Sequence, residues 1–347
     1  MPLLDLPSPV IEAILDNIRG YRTLLKSVSL TCHALHEEVR PFLYSNIRIR
    51  DNSQLFPFAE IMLNDPRLAR YVTSFTGPLL PSKSIRPLHE GWLQNIVNLK
   101  SLHIATPWTD TCEPFPKVPF RLTSLELSCP NGLAPLVSFL KGQPDLVFLS
   151  TGTIRHLGKT PPLLAFPKLK VLCGNINAAR ELLPGNRVAR FEWNYTQDEP
   201  VRVTVNHLNE ISDQLNDLRS LTYRAHGTGV GIHPMYIQPT VYLRSLRFLE
   251  IQIMYPQDWV SIPALPNLRV LLVVEPPGVF MDMLDQPTRI VELFSRCSTL
   301  QRVDVSGPRH RKKRTCSRWV RGEALPKSVP LRIAERGRME FLDNLDD

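Results

Sequence analysis

One spacing constrains this chain more than any other feature. Five segments, "NLKSLHI" from Asn98, "KLKVLCG" from Lys168, "DLRSLTY" from Asp217, "SLRFLEI" from Ser245 and "NLRVLLV" from Asn267, carry Leu-(Lys/Arg)-x-Leu followed two residues on by a third, mostly apolar, position. Random order at this composition gives about one such tetrad. Looser copies keep the i, i+3, i+5 spacing from Val72, Leu122, Leu146, Val188 and Leu300, and first positions fall 19 to 32 residues apart. In each copy the last two apolar positions alternate with a polar one, the signature of a strand with one buried face. A single such strand cannot bury that face alone. Successive units that stack side by side can, by sharing one continuous core.

The segments between copies are short, weakly helical and punctuated by proline. The chain holds 32 prolines in 347 residues, against a usual share of about 5%, and proline in a helix interior removes a donor and clashes with the preceding turn. Long uninterrupted helices are therefore excluded, while 43% hydrophobic content suffices for a core. This pattern resembles the irregular class of leucine-rich repeats, without the regular asparagine of tidier arrays. The resemblance implies an α/β solenoid with a parallel sheet on its concave face, the alternative being an ordinary α/β core. On that face the outward positions are His103, Glu126, Glu192, Asn194, Thr222, Arg224, Glu250, Gln252 and Asp304. Leu249 is expected inside and Glu250 outside, so that a change at Glu250 costs little.

The first fifty residues differ. In "LPSPVIEAILDNIRG", Ser8 is the expected helix N-cap and Pro9 its first residue. Val10, Ile11, Ile14, Leu15 and Ile18 fall within an arc of about 140° at 100° per residue, and Gly20 can end the helix. In "LLKSVSLTCHALHEEV", Leu24, Leu25, Val28, Cys32, Leu35 and Val39 share an arc of about 100° from which Leu30 points away. Either the helix breaks in "SVSLT", poor in helix formers, or Leu30 faces a partner.

These places resemble an F-box: a Leu-Pro pair at Leu6 and Pro7, an apolar helix through Val10, Ile14, Leu15 and Ile18, a leucine pair at Leu24 and Leu25, then Val28, Leu30, Cys32 and Leu35. "RPFLYSNIRI" and "DPRLARYVTSFTG" are similar to the lead into the first strands of fungal F-box proteins. Pro9 departs from the acidic residue usual there, and Leu35 stands where many members carry tryptophan. The resemblance implies a small helical domain over residues 1–45, a repeat domain over 46–308 and a basic C-terminal segment over 309–347. It further implies the substrate-recognition subunit of an SCF-type cullin–RING ubiquitin ligase. Leu6, Pro7, Val10, Ile14, Leu25 and Leu30 would bind a Skp-type adaptor and, through it, a cullin. The repeats would bind an unknown substrate protein through His103, Glu126, Glu192, Asn194, Arg224, Glu250 and Gln252. The alternative is a leucine-rich-repeat protein-binding scaffold that enters no ligase.

No constellation for covalent chemistry emerges. "HGTGVGIHP" lacks the spacing of a dinucleotide fingerprint and the Lys-Ser/Thr of a phosphate loop. Cys32, His33 and His36 sit at helical spacing, but no further ligand completes a metal set. No G-x-S-x-G or H-E-x-x-H occurs. The expectation is a non-enzyme without cofactor or metal. The start carries no secretory pattern, no apolar run reaches the ~20 residues of a membrane span, and the six cysteines form no C-x-x-C pair. Reduced thiols and a cytoplasmic or nuclear protein are expected.

Charge is unevenly placed. From Arg309 onward there are eleven lysines and arginines against six acidic residues, a net of +5 out of the chain's +8. Within it "RHRKKR" (Arg309, Arg311, Lys312, Lys313 and Arg314) is either a solvated loop or, as a dense basic run, a nuclear-import signal or a nucleic-acid contact. Without interleaved aromatics it is a poor platform for nucleic acid.

Overall fold

The computed structural model describes residues 6–78, 86–105, 117–130, 132–154, 164–196, 207–226, 242–251, 258–274, 287–306 and 315–340. The chain divides into two compact units, Met1–Leu146 and Val147–Asp347. Both are mixed α/β.

The first unit opens with three helices, α1 (Ser8–Asn17), α2 (Arg22–Ser29) and α3 (His33–Ser45). The capping of α1 lies one residue earlier than expected: Pro7 is the N-cap, and its carbonyl accepts from the amides of Val10 at 2.8 Å and Ile11 at 3.3 Å. The second apolar run is two helices. Ser29 and Thr31 turn their hydroxyls onto the carbonyls of Lys26 and Val28 at 2.8 and 2.7 Å, a local alternative to continuing the helix. Cys32 is then extended, with φ −160°, and α3 begins afresh. Ile11, Leu15, Leu25, Leu35 and Val39 form the core of the trio, with Leu6, Val28 and Phe42 packed against it.

There follow β1 (Asn46–Arg48), α4 (Asn52–Asn64), α5 (Pro66–Ala69), β2 (Ser74–Gly77), α6 (Arg86–Asn95), β3 (Ser101–Ile104), β4 (Ser124–Glu126) and α7 (Val137–Lys141). The strands β1 to β4 pair in parallel and in chain order, with Phe75, Leu102 and Leu125 in one row. Phe58 of α4, Phe75 of β2 and Trp92 of α6 interlock behind that row, with ring centroids 5.2–5.7 Å apart.

The second unit contains β5 (Phe148–Ser150), β6 (Val171–Gly174), α8 (Ile176–Leu182), β7 (Arg190–Thr196), α9 (Ser212–Asn216), β8 (Ser220–His226) and β9 (Phe248–Ile251). It continues with α10 (Asp258–Ser261), β10 (Val270–Val274), α11 (Pro287–Arg296), β11 (Arg302–Ser306), β12 (Thr315–Val320), β13 (Lys327–Pro330) and α12 (Leu331–Arg336). From β5 to β11 the strands again run parallel in chain order. Leu149, Leu172, Phe191, Leu221, Leu249, Leu271 and Val303 make one continuous row, none of them more than 2% exposed. The second apolar position of every spaced copy in this unit thus takes an equivalent place. The third position sets how close a helix can come: a Cβ on Gly174 would lie 2.6 Å from that of Ala178 on α8. The strands β12 and β13 return antiparallel on β11.

Side-chain amides tie successive turns together, in place of a regular asparagine. Asn175 accepts from the amides of Ile154 and Ala178 and donates to the Ile154 carbonyl at 2.7 Å. Asn186 donates to Leu164, Asn267 to Arg244 and, in the first unit, Asn98 to Arg70, each at 2.7–2.8 Å to a backbone oxygen at least 20 residues earlier.

Candidate functional site

Two kinds of surface are built on this frame. The first is apolar and lies on the N-terminal helices. The arc through α1 is wider than its core needs, so Ile11 and Leu15 are buried while Val10 and Ile14 stay about 40% exposed. Tyr21 and Leu24 are exposed beside α2, and Leu30, just beyond its end, is 84% exposed. Leucine at that exposure gains nothing from the fold. Of the residues expected to meet an adaptor, Pro7, Val10, Ile14 and Leu30 are accessible, and Leu6 is half-buried against the core. Leu25 is corrected: at 1% exposure it is a core residue, because α2 turns it, and not Leu24, toward α3.

The second surface is the sheet face opposite the leucine rows. In the first unit it is open and polar. Arg48, Thr76, His103 and Glu126 form one register row, and Asn46, Ser74, Ser101 and Ser124 another; none is buried. His103 Nδ1 lies 2.7 Å from Glu126 Oε2, a pair charged on both sides only when the imidazole is protonated.

In the second unit the same face is largely closed. The run "VLLVV" puts Val270, Leu272 and Val274 there beside Phe248, and all four are buried in one cluster with Cys316 of β12 and Ala334 of α12, against which Val329 and Leu331 pack. Residues 331–338, from the start of α12, are thus folded onto the sheet. Five consecutive apolar residues in a strand announce burial on both faces, the signal by which this cover could have been found.

Glu250 is therefore corrected. Leu249 is inside as expected, but Glu250 is also buried, at 3%, because Arg338 folds over it and donates to both of its oxygens. Thr222 and Asp304 are likewise fully buried. Asp304 accepts from Arg318 at 2.7 and 3.0 Å and lies 3.2 Å from Arg302. Glu192 is nearly buried between Arg190, which donates to it, and Arg224 at 3.6 Å. Asn194 donates to the Cys173 thiol at 3.3 Å. Arg224, about a third exposed, keeps access to solvent. Gln252, residues 227–234 of "HGTGVGIHP", Cys112 and the cluster Arg309, Arg311, Lys312, Lys313 and Arg314 lie outside the described residues.

Among the described residues Cys129, Cys173, Cys297 and Cys316 are buried thiols and Cys32 is partly buried. No helix among them is long and apolar enough to cross a membrane. Burial pushes the Cys316 thiol up to about 12, with Asp304 adding to the effect. Burial also raises Cys173, helped by the Glu192 carboxylate.

Compared with known protein families and with curated proteins, the chain matches none.

Proposed function

We propose that this chain is the substrate-recognition subunit of an SCF-type cullin–RING ubiquitin ligase. Its N-terminal helical trio is an F-box that docks on a Skp-type adaptor, and its strand stack is an irregular leucine-rich-repeat array. The observation that carries the proposal is the exposure of four apolar side chains, Val10, Ile14, Leu24 and Leu30, on a helical cluster that already has a core of its own. Helices of 8–13 residues are marginal alone, and exposed apolar side chains beside so small a core are what a docking surface requires. The resemblance of Leu6-Pro7 and Leu24-Leu25 to the F-box pattern names the partner.

In the first unit the open polar rows, His103 and Glu126 among them, are the candidate surface for a substrate protein; within the second unit, taken by itself, the candidates are Asn194 and Arg224. The test is direct binding of the full chain to purified adaptor. Wild type should bind at micromolar concentration or better. Leu30→Asp should weaken binding at least tenfold, since a buried leucine contact is worth roughly 1.5–3 kcal/mol. A folded chain that does not bind the adaptor would leave a scaffold without a ligase.

A further inference from the structure

We propose that the C-terminal turn carrying Arg338 is a displaceable occupant of a binding site, on the face of β7–β9 opposite the leucine row, for a partner protein segment in which a small residue precedes an arginine. This rests on taking the sheet face as the substrate surface.

The first ground is charge. Beneath the turn, Glu192 is held by Arg190 and Arg224, and Asp304 by Arg302 and Arg318. All of these but Arg318 stand on β7, β8 and β11, and Arg318 is on the neighbouring β12. Glu250 differs: among the described residues its ion pair is with Arg338 of the turn. With the turn lifted, both neighbouring carboxylates keep their cations and Glu250 loses its own. The vacated position asks for a guanidinium, whose planar fork meets both carboxylate oxygens at once.

The second ground is imperfect satisfaction. Arg190 Nε and the hydroxyls of Ser220 and Thr222 are buried and have no hydrogen-bond partner among the described residues. Ser220 and Thr222 sit in register with Arg190 and Glu192 on one side and with Phe248 and Glu250 on the other. A permanent core replaces such groups with apolar ones or pairs them. A surface that exchanges one occupant for another keeps them, because a ligand backbone can supply the missing acceptors.

The third ground is how lightly the turn is held. The helix α12 has six residues, Ile333 faces solvent, and docking runs through Leu331, Ala334, Gly337 and Arg338, with the half-exposed Met339 accepting from Arg190 at 3.1 Å and Glu340 lying 3.5 Å from Arg302. Gly337 comes close to the sheet: a Cβ there would lie 3.0 Å from the Phe248 ring and 2.8 Å from the tip of Arg302, which would have to shift. So short a segment, anchored by a few contacts, belongs to the low-stability end of a fold. The same close approach sets the small residue before the arginine in an incoming segment.

The probe is a labelled peptide with the sequence of residues 331–340, and the protein is the full chain. Wild type should bind it weakly, since its own turn competes. Gly337→Trp, which unseats the turn without altering the sheet, should bind it at least tenfold more tightly. A peptide carrying Arg338→Ala should lose that gain. A folded Gly337→Trp chain with no gain overturns the proposal, as does a Gly337→Trp chain that cannot fold, because the turn is then integral core. Amide exchange on wild type supplies an independent arm. Exchange at Gly337–Met339 at least tenfold faster than at Leu249 and Leu271 supports local opening, and exchange at the global rate overturns it. Adaptor binding is read separately, so a chain that takes the peptide but not the adaptor sinks the ligase proposal and leaves this one standing.

Discussion

Arg338 and Glu250 stand 88 positions apart in the chain and meet as a two-pronged ion pair, each with less than 15% of its side chain exposed. Had the cover been permanent, removing one partner would strand a buried charge at a cost of about 3–5 kcal/mol. A turn that opens locally returns the survivor to water, so the loss is capped at the turn's own docking free energy. Arg338→Ala is therefore expected to raise thiol labelling of Cys316, which lies under Leu331 and Ala334, at least tenfold. The global urea midpoint should shift by less than about 1.5 kcal/mol equivalent. Site-resolved mass spectrometry and urea unfolding read the two effects.

The leucine row carries the fold itself. Leu249 and Leu271 are adjacent in register and fully buried. Truncating either to alanine leaves a cavity between strands that cannot close without moving the row, for about 2–5 kcal/mol. His103→Ala, on the open polar face, should stay within about 0.5 kcal/mol of wild type. Urea unfolding of the three variants checks the contrast.

This contrast marks what the sequence disclosed. Alternation states which residues leave the core, so Leu249 in and Glu250 out of the leucine row was legible from "SLRFLEI". What else packs on the second face is not written in the alternation. It depends on a segment some ninety residues downstream whose own pattern is short and mixed. The partial clue was the unbroken run Val270–Val274, since a strand facing solvent on one side has no use for Leu272. In the N-terminal helices the arcs were legible, but Leu24 and Leu25 differ by 100° of rotation, and the pattern alone did not settle which one the trio buries. The tying amides were legible only in part: Asn98 and Asn267 each stand immediately before the first leucine of their copies, whereas Asn175 and Asn186 hold other offsets.

Asn175 can be tested as such a tie. At 1% exposure it satisfies both backbone groups of Ile154 and caps α8 through Ala178. Asn175→Ala leaves the Ile154 amide without that partner and its carbonyl with only Asn177, which donates at 2.9 Å. The cost should be roughly 1–3 kcal/mol. Asn175→Asp sets a buried carboxylate against the Ile154 carbonyl, so near neutral pH it should unfold at a lower temperature than the alanine variant.

Alkaline stability should report Cys316. Its thiol is raised from 9.0 to about 12 by burial first and by Asp304 second. Between those values the unfolded chain has released the proton and the folded chain still holds it. The stabilisation is therefore complete below pH 9 and is lost as pH rises through 9 toward 12, with a slope of at most about 1.4 kcal/mol per unit. Tyrosines and lysines titrate there too, so the difference between wild type and Cys316→Ala is the measurement. The alanine variant should show the shallower decline; equal slopes would remove the thiol from the account.

The N-terminal trio separates core from surface within one short stretch. Leu25 is buried among Ile11, Leu15, Leu35 and Val39, whereas Leu30 lies just past the end of α2 and touches water over most of its area. Leu25→Ala should cost about 2–5 kcal/mol and reduce adaptor binding only through unfolding, so lowering the temperature or adding a stabilising osmolyte should recover it. Leu30→Asp removes no packing, and its thermal unfolding should match wild type. Its adaptor binding should nevertheless fall at least tenfold, with no recovery under stabilising conditions. If Leu30→Asp binds as wild type does while Leu25→Ala binds poorly, these exposed side chains are not the docking surface, and adaptor contact must be sought on another face of the trio.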